Sequence, residues 1–111
     1  MINKHSISAL DLQEKIKNKA AFVIDVRSVP EFNEGHLWQA QNFPIEGLPQ
    51  SINSIPKETF LVTVCNKGGG RSEQASEVLR QNGWTQAMWL EGGYMGWVEA
   101  GLSDYEAGFS S

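Results

Sequence analysis

The only cysteine of the 111-residue chain, Cys65, lies between an apolar run and a glycine-rich segment. The run reads "LVTV", and "NKGGGRS" follows the cysteine. Glycine adopts positive φ at little cost, so several amide N–H groups in such a loop can turn toward one centre. A helix that begins near Arg71 or Ser72 adds unsatisfied N–H donors and partial positive charge. The pattern predicts a thiolate nucleophile inside a cradle of amides.

The charge around the glycines is opposite in sign to the charge of the whole chain. The formal net charge is −4 at pH 7, so a broad electrostatic footprint for nucleic acid is missing. Lys67 and Arg71 nevertheless make the glycine segment locally positive, which indicates a small anionic ligand. We expect an anion-binding loop that consists of Asn66, Lys67, Gly68, Gly69, Gly70, Arg71 and Ser72.

A structural interpretation of the same stretch is also available. A lone cysteine after an apolar strand is often a buried small hydrophobe, and three glycines before a helix can form an ordinary turn. A glycine triplet costs conformational entropy, however, and cations on both sides of it serve no packing purpose. This favours the functional interpretation.

The rest of the composition excludes several classes of protein. No apolar run approaches the roughly 20 residues that cross a membrane, and "MINKHSISAL" lacks the apolar stretch of a secretion signal. We therefore expect a cytoplasmic protein without a membrane partner. One cysteine cannot form an internal disulfide, and His5 and His36 do not show metal-ligand spacing. We expect neither a metal nor an organic cofactor.

Strands and helices alternate along the chain, which is typical of an α/β domain with a parallel sheet covered on both sides. Short apolar runs predict strands at residues 21–26, 40–44, 59–64 and 86–90. Amphipathic or capped segments predict helices at 6–19, with Ser8 as N-cap, and at 28–35, 72–83 and 94–101, with a short helix or turn at 46–55.

The alternation indicates one domain over residues 1–111, with a core at about 8–102 and a polar tail at 103–111. The carboxyl ends of its parallel strands share one edge, where open α/β sheets bind ligands. Cys65 falls on that edge. Asp25 and Arg27 fall there too, either to orient a substrate or to serve a structural role as an ion pair or as hydrogen-bond partners of neighbouring loops, with Glu31 as another candidate partner for Arg27.

Three ordered segments resemble the rhodanese-domain family. "VIDVRSVPEFNEGHLWQAQNFP" is similar to the family pattern in which Asp-Val-Arg precedes a Glu-Phe pair and then Gly-His. Cys65 stands where the active-site cysteine does, and "LEGGYMGW" resembles the closing Leu-Glu-Gly-Gly segment. The resemblance covers about residues 8–102. It implies an α/β, three-layer rhodanese-like fold with a five-stranded, mainly parallel sheet flanked by helices.

The activity that this resemblance implies is sulfur transfer. Cys65 would attack the sulfane sulfur of thiosulfate or a related small anionic donor, release sulfite and hold a persulfide. Cyanide, a cellular thiol or a thiol of a partner protein would then accept the sulfur. The amides from Asn66 to Ser72 would stabilise the persulfide, Lys67 and Arg71 would attract the donor, and Asp25 and Arg27 would support the site.

The loop length departs from this family pattern. Five residues separate Cys65 from Arg71, whereas small sulfurtransferases of the family commonly have one fewer. The longer spacing resembles the loop of cysteine-dependent phosphatases and arsenate reductases that share the rhodanese fold. Val64 and Gly70 count against these enzymes, which usually carry histidine and, in the cell-cycle members, glutamate at these positions. Sulfur transfer is our first interpretation, oxyanion chemistry the second, and a non-catalytic rhodanese binding module the third.

Two further residues are assigned from the sequence. Trp38 replaces a region that is usually small or contains proline in the family, so we expect an exposed aromatic side chain that contacts a donor or partner at the mouth of the site. His36 is interpreted as a hydrogen-bonded structural residue.

Overall fold

The computed structural model describes residues 5–102, which form one parallel sheet with helices on both faces. The sheet order is β1-β5-β4-β2-β3, and every neighbouring pair is parallel. This confirms the α/β, three-layer fold and the five-stranded sheet. The strands are β1 (Ser6–Ile7), β2 (Phe22–Asp25), β3 (Gln41–Asn42), β4 (Leu61–Val64) and β5 (Met88–Leu90). The helices are α1 (Ala9–Lys17), α2 (Val29–Glu34), α3 (Gly70–Gln81) and α4 (Gly93–Glu99), with two 3-10 turns at Ile45–Gly47 and Gln50–Ile52.

Local capping signals locate two of the helix starts. The side chain of Ser8 accepts a hydrogen bond from the amide of Asp11 at 3.2 Å, so α1 begins directly after its predicted cap. Ser28 and Glu31 form a complete capping box at the start of α2. The prediction of helix from residue 6 is wrong, because residues 6 and 7 pair with β5 as the edge strand β1.

The sheet buries apolar side chains on both faces. Val62 and Val64 point into a cluster covered by α1 and α4, whereas Leu61 and Cys65 point into a cluster covered by α3. This double burial explains why β2 and β4 read as continuous apolar runs in the sequence. Burying one aliphatic side chain stabilises the folded state by about 1.5–3 kcal/mol relative to leaving it exposed to water. The buried side chains of the central strands β2 and β4 therefore stabilise the sheet.

Trp38 belongs to the core, in contrast to its predicted exposure. The side chain is only 8% exposed and lies in the cluster of the α1 and α4 face. Its neighbours Leu37 and Ala40 are buried in the same cluster, so the segment between α2 and β3 folds onto the sheet. The predicted contact of Trp38 with a donor or partner at the site mouth is therefore wrong.

The order of the strands creates a crevice between β2 and β4. The chain leaves β2 toward β3 on one side and leaves β4 toward β5 on the other, so the direction of winding reverses between these two strands. Ligands bind at such reversals, beyond the carboxyl ends of the strands. Cys65 directly follows β4 there, and Asp25 ends β2. Within residues 5–102, no helix has the length and apolar character to span a membrane, and the predicted polar tail at 103–111 lies outside the described residues.

Candidate active site

Cys65 lies at the base of a shallow depression that the following loop forms. The depression has a volume of about 350 Å³, and the cysteine is 4% exposed. Its Sγ lies 3.2 Å from the Oγ of Ser72 and 3.3 Å from the carbonyl oxygen of Gly69. The loop therefore turns back on itself and places a hydroxyl group beside the sulfur. The lining residues are Cys65, Asn66, Lys67, Gly68, Gly70 and Arg71.

The three consecutive glycines provide the backbone shape of this turn. Gly68, Gly69 and Gly70 have φ values of 84°, 63° and 42°, in the left-handed region that other residues rarely adopt. A Cβ on Gly68 would also lie 2.7 Å from the amide nitrogen of Gly92. The loop then passes directly into α3, whose amino end brings partial positive charge to the cysteine.

The amino end of α4 supports the loop from behind. The amides of Tyr94 and Met95 donate hydrogen bonds of 2.9 Å each to the carbonyl oxygens of Cys65 and Asn66. Gly93 makes this approach possible, because a Cβ there would lie 2.5 Å from the amide nitrogen of Gly68. The family segment "LEGGYMGW" thus binds the loop carbonyls, a role that the sequence signals only through its two adjacent glycines.

Asp25 and Arg27 form a buried ion pair, which is one of the arrangements that the sequence analysis allows for them. Arg27 Nη2 lies 2.7 Å from Asp25 Oδ2, and the side chains are 4% and 0% exposed. Arg27 also donates to the carbonyl oxygen of Gly35 at 2.8 Å. Its guanidinium carbon lies 4.8 Å from the ring centre of Tyr94, the residue whose amide binds Cys65. The buried pair is thereby connected to the support of the loop.

Arg71 forms a surface ion pair with Glu31 of α2. The Nη1–Oε1 distance is 3.1 Å and the Nη2–Oε2 distance is 3.3 Å. The alternative pairing of Glu31 with Arg27 is wrong, because Arg27 pairs with Asp25 and Glu31 pairs with Arg71.

Hydrogen bonds from Arg71 and Ser28 lower the pKa of Glu31 from 4.5 to about 2. The hydrogen bond to Glu31, with smaller contributions from the charges of Cys65 and Asp25, raises the pKa of Arg71. Both groups therefore stay charged over a wide pH range, and each cancels the charge of the other.

Of two other residues considered in the sequence analysis, Lys67 lies at the site and His36 lies outside it. Lys67 is exposed and lines the depression. His36 stacks on the ring of Phe32 at 3.7 Å between centroids, and its Nδ1 lies 3.0 Å from the Phe32 carbonyl oxygen. These contacts confirm the structural interpretation of the histidine.

Together, the parallel sheet and the glycine loop after β4 define an α/β domain that presents a cysteine inside a turn of positive-φ glycines. The chain belongs to the rhodanese-like domain family, whose sequence profile matches residues 8–100.

Named relatives extend over nearly the whole chain. A sulfurtransferase of Allochromatium vinosum is 29% identical over 102 residues, covering 92% of this chain and 94% of that protein. The thiosulfate sulfurtransferase GlpE of Shewanella oneidensis is 32% identical over 97 residues, covering 87% of this chain and 94% of its own. The crystal structure of a rhodanese-related protein from Thermoplasma volcanium has a TM-score of 0.79 and 35% identity, and the match covers 88% of this chain and 94% of that one. These relatives support a rhodanese-type sulfurtransferase function and do not favour phosphatase or arsenate chemistry.

Proposed function

We propose that the protein carries a sulfane sulfur as a persulfide on Cys65, taken from thiosulfate or a related anionic donor. The observation that carries this proposal is the position of the Cys65 sulfur at the base of the positive-φ glycine loop, 3.2 Å from the hydroxyl of Ser72. A sulfur anion formed at this position can accept a hydrogen bond from the Ser72 hydroxyl and lies next to the amino end of α3.

The reaction consists of two displacements. The Cys65 thiolate attacks the outer sulfur of thiosulfate, the S–S bond of the donor breaks, and its electron pair leaves with sulfite. Cys65 then holds a persulfide anion. A thiol, including a thiol of a partner protein, or cyanide attacks the terminal sulfur and releases the Cys65 thiolate. Neither step requires a metal or an organic cofactor, because cysteine supplies the nucleophile and the leaving group in turn.

The residues of the loop have separate roles in this mechanism. The amides between Asn66 and Ser72 stabilise the terminal sulfur of the persulfide. Ser72 turns its hydroxyl from the carbonyl oxygen of Gly69, 2.9 Å away, to the sulfur anion. Lys67 attracts the anionic donor at the rim of the depression. Asp25 and Arg27 support the loop through Tyr94, outside the chemical step.

Intact mass after incubation with thiosulfate tests this proposal. The wild-type chain should gain one sulfur atom, a thiol reductant should remove it, and the Cys65→Ser variant should not gain it. If a titrated, free Cys65 thiol gains no sulfur, the proposal is contradicted. Turnover of an aryl phosphate or reduction of arsenate in the same sample would then support the oxyanion alternative, and inertness toward every donor would support the binding module.

A further inference from the structure

The guanidinium of Arg71 is held by a carboxylate that is itself fixed in place. Oε1 of Glu31 accepts hydrogen bonds from both the amide and the hydroxyl of Ser28, each at 3.0 Å. The same carboxylate then receives Nη1 and Nη2 of Arg71 at 3.1 and 3.3 Å. The capping box of α2 therefore determines where the loop arginine lies.

The contact with Glu31 occupies the two terminal nitrogens through which an arginine side chain binds a phosphate-like oxyanion. Arginine grips phosphate-like groups through paired N–H donors in a fixed planar fork. In this structure Nη1 and Nη2 of Arg71 donate to the two oxygens of Glu31, although Arg71 also lines the depression above Cys65. Glu31 and an oxyanion at the loop therefore compete for the same donors.

We propose that Glu31 is a specificity-determining residue that keeps Arg71 from binding phosphate and arsenate through its paired nitrogens. The cysteine loop has the length that resembles the loop of phosphatases, but its arginine is engaged by Glu31. Attraction of a donor is left to Lys67, the loop amides and the amino end of α3. The inference rests on the proposed function for the identity of the donor, whereas the weaker binding of phosphate and arsenate by Arg71 is a property of the loop itself.

The Glu31→Gln variant isolates the charge of this side chain. Glutamine also serves at the third position of a capping box, so the start of α2 is retained. Glu34→Gln is the matched control, because Glu34 is an exposed residue of the same helix and its substitution changes the net charge equally. Thermal unfolding of each variant verifies that the fold is intact.

Alkylation of Cys65 provides a readout that does not depend on sulfur transfer. Iodoacetate carries a negative charge and iodoacetamide carries none, so the ratio of their rates reports the positive charge available at the sulfur. With Glu31→Gln, we expect this ratio to rise roughly threefold or more, because Arg71 is no longer neutralised. Inorganic phosphate should then protect Cys65 from alkylation at a severalfold lower concentration in Glu31→Gln than in the wild type or in Glu34→Gln, because the exposed ion pair competes only modestly for Arg71. Adding Arg71→Gln to the Glu31→Gln variant should abolish both effects.

The outcomes separate this inference from the proposed function. If the folded Glu31→Gln protein shows an unchanged rate ratio and no gain in protection by phosphate over the wild type, the inference is overturned, whatever thiosulfate does. If the gain in protection appears and depends on Arg71, the inference stands, even when thiosulfate leaves no sulfur on Cys65. A gain that persists in the double variant that also carries Arg71→Gln overturns it, because the anion would then bind without the arginine.

Discussion

Gly93 is the point at which α4 comes closest to the cysteine loop, and replacing it with alanine should damage both the fold and the site. A Cβ there would lie 2.5 Å from the amide nitrogen of Gly68 and 2.6 Å from the carbonyl oxygen of Cys65, whereas real Cβ contacts essentially never fall below 3.0 Å. The loop and α4 must therefore separate by about half an ångström. Backbone strain at a φ of 62° adds to this cost.

The expected loss follows from these two contributions. Left-handed strain costs about 1–2 kcal/mol and overpacking costs about 1–3 kcal/mol, so the free energy of unfolding should fall by roughly 2–5 kcal/mol. Gly101→Ala is the matched control, since Gly101 has a φ of 80° but no atom within 4 Å of an added Cβ. This control should lose only the strain.

Urea unfolding followed by tryptophan fluorescence measures both variants, and alkylation of Cys65 in the native state reports on the loop. We expect Gly93→Ala to lose at least about 1 kcal/mol more than Gly101→Ala, the lower end of the overpacking cost, and only Gly93→Ala to change the alkylation rate. Equal losses in the two variants, with the same alkylation rate as the wild type, would refute the view that close contact with α4 positions the loop.

Two further predictions concern the ion pairs. Asp25→Asn should lower the free energy of unfolding by about 3–5 kcal/mol, because it leaves the buried charge of Arg27 without its counter-ion. In urea unfolding, the exposed control Glu58→Gln should change this free energy by no more than about 0.5 kcal/mol. A similarly small loss for Asp25→Asn would contradict the structural role of the pair. Hydrogen bonds from Arg71 and Ser28 depress the folded-state pKa of Glu31, so its stabilisation is complete above about pH 4.5 and disappears as the pH falls toward 2. Solvent exposure limits this stabilisation to about 0.2–1 kcal/mol, and the difference in unfolding free energy between wild type and Glu31→Gln should shrink over that pH range; a constant difference would contradict it.

The elements that the sequence predicts well are those determined by local chemistry. Ser8 and Ser28 mark the starts of α1 and α2, because an N-cap acts within a few residues of itself. The strand β4 is evident because all of its side chains are buried. The edge strand β1 has no comparable signal, since two residues are too few to show a pattern. It is specified by distant contacts instead, including the hydrogen bond from the amide of Glu91 to the carbonyl oxygen of Ile7.

Trp38 shows how tertiary packing overrides an expectation based on sequence position. The expectation of exposure rests on the family resemblance, in which this region is usually small or contains proline. The structure instead places it in the cluster that contains Trp97 of α4, because the segment after α2 folds over the sheet on the way to β3. Nothing within the segment itself indicates which face of the sheet it covers, so this burial follows only from the docking of distant elements.

The charge of the candidate site also depends both on nearby residues and on distant contacts. The loop from Cys65 to Ser72 is contiguous, so its glycines and cations are visible in the sequence, and counting them predicts two positive charges at the cysteine. In the structure Glu31 cancels one of them from a position 40 residues away along the chain. Loop length places Arg71 at the spacing of an oxyanion enzyme, but the side chain that Arg71 contacts decides which anion it can hold. The chemistry of the loop therefore depends on how α2 docks as much as on the number of residues between cysteine and arginine.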